Sequence, residues 1–386
     1  MPRDDDRRRP ARAPRLERGR RGSAPAQDER RLGRLPAVAL AGSVALIAAS
    51  GGGSGSDGGD DGRPAPAVSS DGTQAAGSTQ APPDRGRIVF RRWSDPAQTR
   101  GEIFTIAPDG SDERQLPSPP ARSSDDYPDF ASDGSLIAFQ RCDERQTCRI
   151  LTVLPDGTAL RRVGGCRPVG AAPRCTSMSY PAIAPTDGRI AFVRASRSEQ
   201  DDEYTRQGIF TMRMDGTGLR RVTLPGAGIA RDDEPQWSPD GRRLVFVRVN
   251  GTARPAGGQA IFTVRTDGSD LQRITPWDLR AGDGPNWSPD GARVLFRSNE
   301  SEEFTNSNLF TVGSDGSGVE QITHVAPTTR LYSSGFSPDG KSITFGMQGT
   351  DDAADVFTMD VDGTGLTPVT RTSLGDSAPD WGDAPE

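Results

Sequence analysis

A twelve-residue segment recurs three times in the C-terminal half of this 386-residue chain. It reads P-Q-W-S-P-D-G-R-R-L-V-F from Pro235, P-N-W-S-P-D-G-A-R-V-L-F from Pro285 and S-G-F-S-P-D-G-K-S-I-T-F from Ser334. Ser-Pro-Asp-Gly is a turn signal, because proline presets φ at the first central position and glycine accepts a left-handed conformation. The apolar run after the turn, Leu244–Val247, predicts a strand buried on both faces. A hairpin repeated at regular spacing predicts a repeat architecture.

Two further elements follow each hairpin from Gly86 onward, and each is present in six copies. The first is a strand of the form I-F-T, such as Ile261–Thr263. The second is an Asp-Gly turn that leads into a short outer strand such as Leu219–Thr223. The strand that precedes the Ser-Pro-Asp-Gly turn appears as Pro128–Phe130, Pro181–Ile183, Pro235–Trp237, Pro285–Trp287, Gly335-Phe336 and Pro379–Trp381.

The position of the last copy predicts how the repeats close. The first repeat lacks this preceding strand, whereas the C-terminus carries one, Pro379–Trp381, with no strand after it. We therefore predict an all-β, six-bladed propeller of four-stranded antiparallel blades over residues 86–386, about 50 residues per blade. It closes when Pro379–Trp381 pairs with the N-terminal strand Arg87–Arg92. Two smaller all-β domains, the alternative, would leave Ala378–Trp381 unpaired.

The repeat unit resembles a known family. The W-S-P-D-G turn, followed by I-x-F and by I-F-T-x-x-x-D-G-x-x-x-x-x-[VIL]-T, is similar to the WD40-like repeat of TolB-type propellers over essentially all of residues 86–386. The pattern is weaker after Phe130, where the turn reads A-S-D-G, and after Ile183, where it reads A-P-T-D-G. The resemblance implies the propeller fold. The same repeat occurs in prolyl-oligopeptidase-like peptidases and in many exported proteins, so it implies no single activity.

The N-terminal 85 residues divide into three segments of different composition. Residues 1–34 are low in complexity and carry twelve arginines against six acidic residues, so we expect a disordered n-region that stays cytoplasmic. Residues 35–50 are sixteen uncharged, largely apolar residues, which fit a signal-peptide h-region or a short membrane anchor. Residues 51–85 have the composition of a flexible linker. The propeller is therefore expected outside the cytoplasm, either secreted or anchored to the cytoplasmic membrane.

The charge of the remaining chain limits its partners. Beyond residue 34 there are 35 basic and 47 acidic residues, and this acidic excess argues against a nucleic-acid-binding face. We expect membrane contact only through the N-terminal apolar segment, and a monomer.

Four cysteines, Cys142, Cys148, Cys166 and Cys175, lie in and just after the second blade. Their intervals lack the short C-x₂₋₄-C pairs typical of zinc sites, and an even number in an exported protein favours two disulfides. Of the three pairings that the sequence permits, we expect Cys142–Cys148 and Cys166–Cys175.

Acidic residues precede the inner strand of several repeats, where loops would surround one mouth of the central channel. Converging carboxylates there could bind a cation such as Ca²⁺ or a basic segment of a partner. The alternative is that they are turn and strand-start residues that bond nearby backbone N–H groups. The candidate site residues are Asp125, Asp126, Asp232, Asp233, Glu234, Asp283 and Asp376.

The sequence gives little support for catalysis. His324 is the only histidine and is expected in a surface loop, and no G-x-S-x-G motif occurs. The long polar insertions Ala195–Gln207 and Asn299–Asn308 are candidate recognition loops. We therefore expect a non-enzymatic scaffold that binds a protein or peptide in the cell envelope. The alternatives are a metal-dependent hydrolase or lyase at the channel mouth, and a purely structural envelope module.

Overall fold

The structure is a computed structural model that describes residues 86–166, 174–197, 205–226, 229–251, 258–299, 307–349 and 353–384. Residues 1–85 lie outside the described residues, as do parts of the two long insertions. The expectations for the leader, the anchor and the linker therefore stay predictions. None of the helices in the described residues has the length and apolarity that a bilayer crossing requires.

Within these ranges, 24 strands form six separate four-stranded antiparallel sheets, the blades. Blade 1 consists of β1 (Arg87–Trp93), β2 (Gly101–Ile106), β3 (Arg114–Gln115) and, from the C-terminus, β24 (Asp376–Gly382). Blade 2 consists of β4 (Ser123–Phe130), β5 (Ile137–Asp143), β6 (Cys148–Val153) and β7 (Arg161–Gly165). Blade 3 consists of β8 (Arg174–Ile183), β9 (Arg189–Arg197), β10 (Thr205–Arg213) and β11 (Arg220–Arg221).

The remaining blades follow the same order. Blade 4 consists of β12 (Ile229–Trp237), β13 (Arg243–Asn250), β14 (Gln259–Arg265) and β15 (Gln272–Arg273). Blade 5 consists of β16 (Ala281–Trp287), β17 (Arg293–Asn299), β18 (Ser307–Gly313) and β19 (Glu320–Gln321), and a short 3₁₀ helix (Trp277–Leu279) precedes it. Blade 6 consists of β20 (Arg330–Phe336), β21 (Ser342–Gln348), β22 (Asp355–Asp360) and β23 (Thr367–Pro368). The predicted six-bladed propeller is confirmed.

The ring closes as the incomplete last repeat predicts. β24 pairs with β1 in antiparallel register, with Ile88 opposite Trp381 and Arg92 opposite Asp376. Apolar clusters lie between successive blades, and one of them joins Val356 and Val369 of blade 6 to Ile88 and Trp381 of blade 1. The two termini of the propeller are thus held by the same contacts that join every other pair of blades.

The hairpin signature is explained by local bonding. In the Ser238-Pro-Asp-Gly turn, the Gly241 N–H donates to the Ser238 carbonyl at 2.8 Å, and Gly241 has a φ of 67°. The Ser238 hydroxyl donates to the Asp240 carboxylate at 2.6 Å. After the turn, Leu244, Val245 and Phe246 are fully buried, as the apolar run predicts. Phe246 stacks on Phe262 of the next strand at 5.9 Å between ring centroids.

The outer strands are shorter than the sequence suggests. The reason is the threonine that ends the repeat pattern, as in Val222-Thr223. Leu219–Thr223 was expected as a strand, but β11 contains only Arg220–Arg221. Beyond it, the Thr223 hydroxyl accepts the Ile209 N–H at 3.0 Å, replacing a ladder bond with a side-chain bond. Equivalent threonines do the same for Ile261, Leu309 and Val356.

Both predicted disulfides are present. Cys142 and Cys148 are directly opposite each other on β5 and β6, so their bond closes the end of that hairpin. Cys166 and Cys175 join the end of β7 to β8. The repeat tryptophans Trp237, Trp287 and Trp381 are buried in the apolar clusters between blades. Trp237, for example, is 6% exposed between blades 3 and 4, and its indole N–H donates to the Ala182 carbonyl at 3.0 Å.

Candidate functional site

The innermost strands of the six blades are β24, β4, β8, β12, β16 and β20. Each carries an irregularity at the same position. In each of the six, register with the second strand is interrupted, for example between Asp126 and Asp129 in β4. In five blades the break contains an Xaa-Pro pair whose first residue has a positive φ; these residues are Tyr127 (49°), Tyr180 (52°), Glu234 (54°), Gly284 (61°) and Ala378 (53°). Blade 6 has Ser333-Ser334 instead.

Four of these five residues are not glycine, so the conformation is costly. A left-handed conformation costs roughly 1–3 kcal/mol in such residues, and local strain of this kind concentrates at binding and catalytic sites. The bulge also explains how a proline fits within a strand, because the unpaired position has no ladder bond for its missing N–H to make. The sequence interpretation began these strands at the proline, and that boundary is wrong. β4 begins at Ser123 and β8 at Arg174, because the chain returns to the ladder before the bulge.

The six irregularities converge on one cavity, which we call the central cavity. Its volume is about 60 Å³, and every blade contributes residues to its lining. Five of the lining residues are the Xaa-Pro prolines: Pro128, Pro181, Pro235, Pro285 and Pro379. Tyr127 and Tyr180 contribute aromatic rings whose centroids are 4.3 Å apart. Burial, together with nearby carboxylates, raises the pKa of both phenols well above its usual value.

Two carboxyl groups two residues beyond the bulge connect the blades around the channel. Asp380 accepts the Phe130 N–H at 2.7 Å, joining blade 1 to blade 2. Asp129 accepts the Ile183 N–H at 2.7 Å, joining blade 2 to blade 3, and it also accepts the Gln236 side-chain amide at 2.9 Å. Burial raises the pKa of Asp380 to about 6. Burial and the nearby Asp380 raise the pKa of Asp129 well above its usual value.

Three of the seven predicted site residues are bound to arginines of their own blades. Asp125 accepts two hydrogen bonds from Arg141 at 2.6 and 2.7 Å, and Asp232 accepts two from Arg248 at 2.6 and 2.8 Å. Asp376 likewise accepts two from Arg92, both at 2.8 Å. Each aspartate is at most 1% exposed, and each lies directly opposite its arginine across the first two strands. The structure places all three in innermost strands, whereas the sequence interpretation had placed them in preceding loops.

Three more of the predicted residues also have cationic partners. Asp126 pairs with Arg91 at 2.7 Å, Asp283 pairs with Arg297 at 2.6 Å, and Asp233 pairs with Arg231. The seventh, Glu234, lines the central cavity and accepts the Gly284 N–H at 2.6 Å. Burial and the neighbouring Asp283 raise the pKa of Glu234 well above its usual value. Of the predicted set, Glu234 is thus the member that lines the cavity.

The sequence interpretation missed several residues of the cavity. Tyr127, Tyr180, Asn286, Ser334 and Asp380 line it but were not among the candidates. The signal that could have found them is the recurring Xaa-Pro pair inside an innermost strand, where proline indicates a bulge. His324, in contrast, is exposed after β19, as expected.

Comparisons with known proteins agree with this geometry. A family model described as the TolB beta propeller domain matches residues 167–384, more than half of the chain. The chain belongs to the TolB β-propeller family. TolB from Acinetobacter baumannii superimposes with a TM-score of 0.60 at 17% identity, over 78% of this chain and 68% of that one. This TolB-family propeller also resembles a chain of a nidogen/laminin complex, with a TM-score of 0.57 at 11% identity, over 76% of this chain and 98% of that one.

A curated relative matches only one part of the propeller. The protein described as uncharacterized peptidase YuxL from Bacillus subtilis is 28% identical over 101 residues, which are 26% of this chain and 14% of that protein. This chain therefore spans about a seventh of that relative's length, and the similarity carries no activity to it. At the identities of the structural neighbours, the likeness shows the shared fold alone.

In this TolB-family propeller, the raised pKa of Asp380 makes stability depend on pH. A folded-state pKa of about 6, against roughly 3.9 for the unfolded chain, means that the stabilising effect of the proton is complete below about pH 4 and is lost as the pH rises through 6. Asp380→Asn removes the charge and keeps an oxygen for the Phe130 N–H. We expect this variant to be more stable than the parent by about 2–3 kcal/mol at pH 8 and equal to it near pH 4.

Urea unfolding at pH 4 and pH 8 checks this expectation. Asp383→Asn, an exposed carboxylate three residues away, is the matched control and should change stability at neither pH. A stability change in Asp380→Asn that is the same at both pH values would contradict the assignment.

Proposed function

We propose that this propeller is an extracytoplasmic, non-enzymatic scaffold that binds a protein or peptide at its central cavity. The observation that carries the proposal is the convergence of all six blades on one cavity, at positions where four non-glycine residues hold a left-handed conformation. Such strained residues persist where the surrounding structure holds them in place, and they cluster at active sites, ligand clamps and switch regions. The mouth of a ring of strands is also a frequent binding position.

The disulfides support an extracytoplasmic location. Both cysteine pairs are bonded, and stable structural disulfides are formed mainly in oxidising compartments. The N-terminal apolar segment supports the same location.

Site-specific photocrosslinking tests the scaffold proposal. A photoreactive phenylalanine analogue replaces Tyr127, so that an aromatic ring remains in the cavity, and the full chain is irradiated in an envelope extract. The control carries the same analogue at Leu366, which is 52% exposed near the outer edge of blade 6. We expect one or a few defined covalent products from position 127 that are missing from position 366. The same products at both positions, or none at 127, would refute the proposal.

A cation such as Ca²⁺ at the channel mouth belongs to the same proposal. Glu234, Asp380 and Asn286 are lining residues whose side chains contain oxygen atoms. Within the described residues, no group of three or more acidic, histidine or cysteine residues is placed to hold a metal ion, so a cation here would also need ligands from a partner or from water. Oxygen ligands of this kind suit Ca²⁺. The crosslinking is therefore run with calcium and with chelator. A change in yield between the two supports a cation at the cavity, and equal yields count against it.

Two competing functions give different results in these experiments. A metal-dependent hydrolase or lyase at the channel mouth would turn over substrate in metal-supplemented activity profiling. A purely structural envelope module would give neither turnover nor a crosslink that depends on the cavity.

A further inference from the structure

The side chains of the central cavity that can carry a full charge at neutral pH are acidic. Among its lining residues, Glu234 and Asp380 have ionisable carboxyl side chains, and none of the lining residues is basic. The arginines near the cavity form ion pairs with other carboxylates: Arg91 pairs with Asp126, and Arg297 pairs with Asp283. Glu234 and Asp380 are half-buried, and a carboxylate in such a place is unfavourable when the arginines near it pair with other carboxylates, so the cavity favours a cationic occupant.

The two carboxyl groups of the cavity can accept further hydrogen bonds, which suits a ligand that donates them. Glu234 accepts one backbone N–H at 2.6 Å, and Asp380 accepts the Phe130 N–H at 2.7 Å. A carboxylate offers about four acceptor positions, so both groups can accept more bonds. An independent observation points the same way. Ser334 lines the cavity and is 4% exposed, and its hydroxyl has no hydrogen-bond partner in the described part of the chain.

The size of the cavity restricts what the cation can be. One water molecule needs about 10–15 Å³ of such volume, so about 60 Å³ holds roughly four to six water-sized groups. That is enough for an ammonium group and the methylene carbons next to it, and too little for a whole residue. The rings of Tyr127 and Tyr180 suit the alkyl part and attract a cation through their faces.

We propose that the central cavity receives one protonated amine of a bound peptide, from a lysine side chain or from the α-amino terminus. The proposal rests on the scaffold function above and adds the chemistry of the partner. The ammonium group donates to the Glu234 and Asp380 carboxylates and to the Ser334 hydroxyl, and so supplies a cation that the cavity lining lacks.

The binding is expected to depend on pH. Glu234 is surrounded by Asp233 on its own strand and by Asp283 and Arg297 of blade 5, while Asp380 is close to Asp129. Burial raises the pKa of both Glu234 and Asp380, so a proton occupies these carboxyl groups more readily than usual. The ammonium group competes with that proton, so the affinity of the lysine peptide, whose amine stays protonated over this range, should rise between pH 5 and pH 8.

Calorimetry with the full chain and three short peptides tests the proposal. The probes are acetyl-Gly-Lys-Gly-amide, its uncharged counterpart acetyl-Gly-norleucine-Gly-amide, and Gly-Gly-Gly-amide with a free α-amino group. We expect the lysine peptide, the free-amine peptide or both to bind at least tenfold more tightly than the norleucine peptide at pH 7 and low salt, where both amines are largely protonated. Tighter binding by one of them identifies the source of the amine.

Two variants connect this binding to the cavity. Glu234→Gln keeps an oxygen for the Gly284 N–H and should weaken amine binding about tenfold. Glu144→Gln, at a side chain that is 61% exposed on the β5–β6 hairpin, makes the same change of charge and should leave the affinity unchanged. Equal affinities for the charged and uncharged peptides, or equal effects of the two variants, would overturn the proposal. A crosslink at position 127 without amine binding refutes this inference and leaves the scaffold function standing.

Discussion

A chain that ends at Gly375 should lose cooperative unfolding, whereas a chain that ends at Asp383 should unfold like the parent. The first truncation removes β24 and with it the pairing to β1 and the indole of Trp381. It also removes Asp376, which accepts two hydrogen bonds from Arg92. Removing a buried tryptophan side chain costs about 3–5 kcal/mol, and breaking a buried ion pair costs a similar amount. The sum is comparable to the whole stability of a typical domain.

Thermal and urea unfolding, monitored by tryptophan fluorescence, measure this effect. A rescue experiment tests whether the loss of β24 is its cause. A synthetic peptide of residues 376–386 added to the shorter chain should restore a cooperative transition, because β24 joins its blade only through pairing and packing. The Trp381→Ala variant of the full chain should lie between the two truncations, with a loss of about 3–5 kcal/mol. If the chain ending at Gly375 keeps the melting temperature of the parent, the ring does not depend on this strand.

The second large effect concerns the buried ion pair of blade 4. Arg248→Met leaves the Asp232 carboxylate without a cation at 0% exposure, and we expect a loss of about 3–5 kcal/mol. Blade 6 shows how the same positions are filled without charge, since Leu331 lies opposite Met347 there. The double variant Asp232→Leu with Arg248→Met copies that blade. We expect it to be within about 1 kcal/mol of the parent, because a buried ion pair and a well-packed apolar pair are often equivalent.

Urea unfolding of the parent, the two single variants and the double variant gives the coupling energy of the pair. A coupling of more than about 2 kcal/mol supports the interpretation that the pair serves mainly to neutralise two buried charges. If the double variant loses as much stability as the two single changes added together, the ion pair has a role that apolar packing cannot replace.

These ion pairs also explain why an acidic motif is a poor guide to a ligand site in this fold. Asp232, Asp233 and Glu234 are adjacent in sequence, yet they have three different environments. Asp232 faces Arg248 across the strand pair, Asp233 contacts Arg231, and Glu234 enters the cavity because the chain bulges at that residue. Alternation along a strand sends neighbouring side chains to opposite faces, and the bulge changes that alternation at one position.

The sequence by itself determined the architecture. The Ser-Pro-Asp-Gly turns, the I-F-T strands and the unmatched copy at Pro379–Trp381 predict six four-stranded blades and their closure, because turn chemistry and strand periodicity are local properties. The preferred disulfide pairing was also confirmed, since Cys142 and Cys148 flank a predicted hairpin.

Only the tertiary structure decided which polar residues meet. Asp129 and Asp380 are 251 positions apart, yet they join successive blades around one channel. Ser334 and Glu234 line one cavity although they belong to different blades. The physical reason is that such contacts depend on the curvature of the ring, which arises from the packing of blades against one another and brings the bulges of different blades to one place.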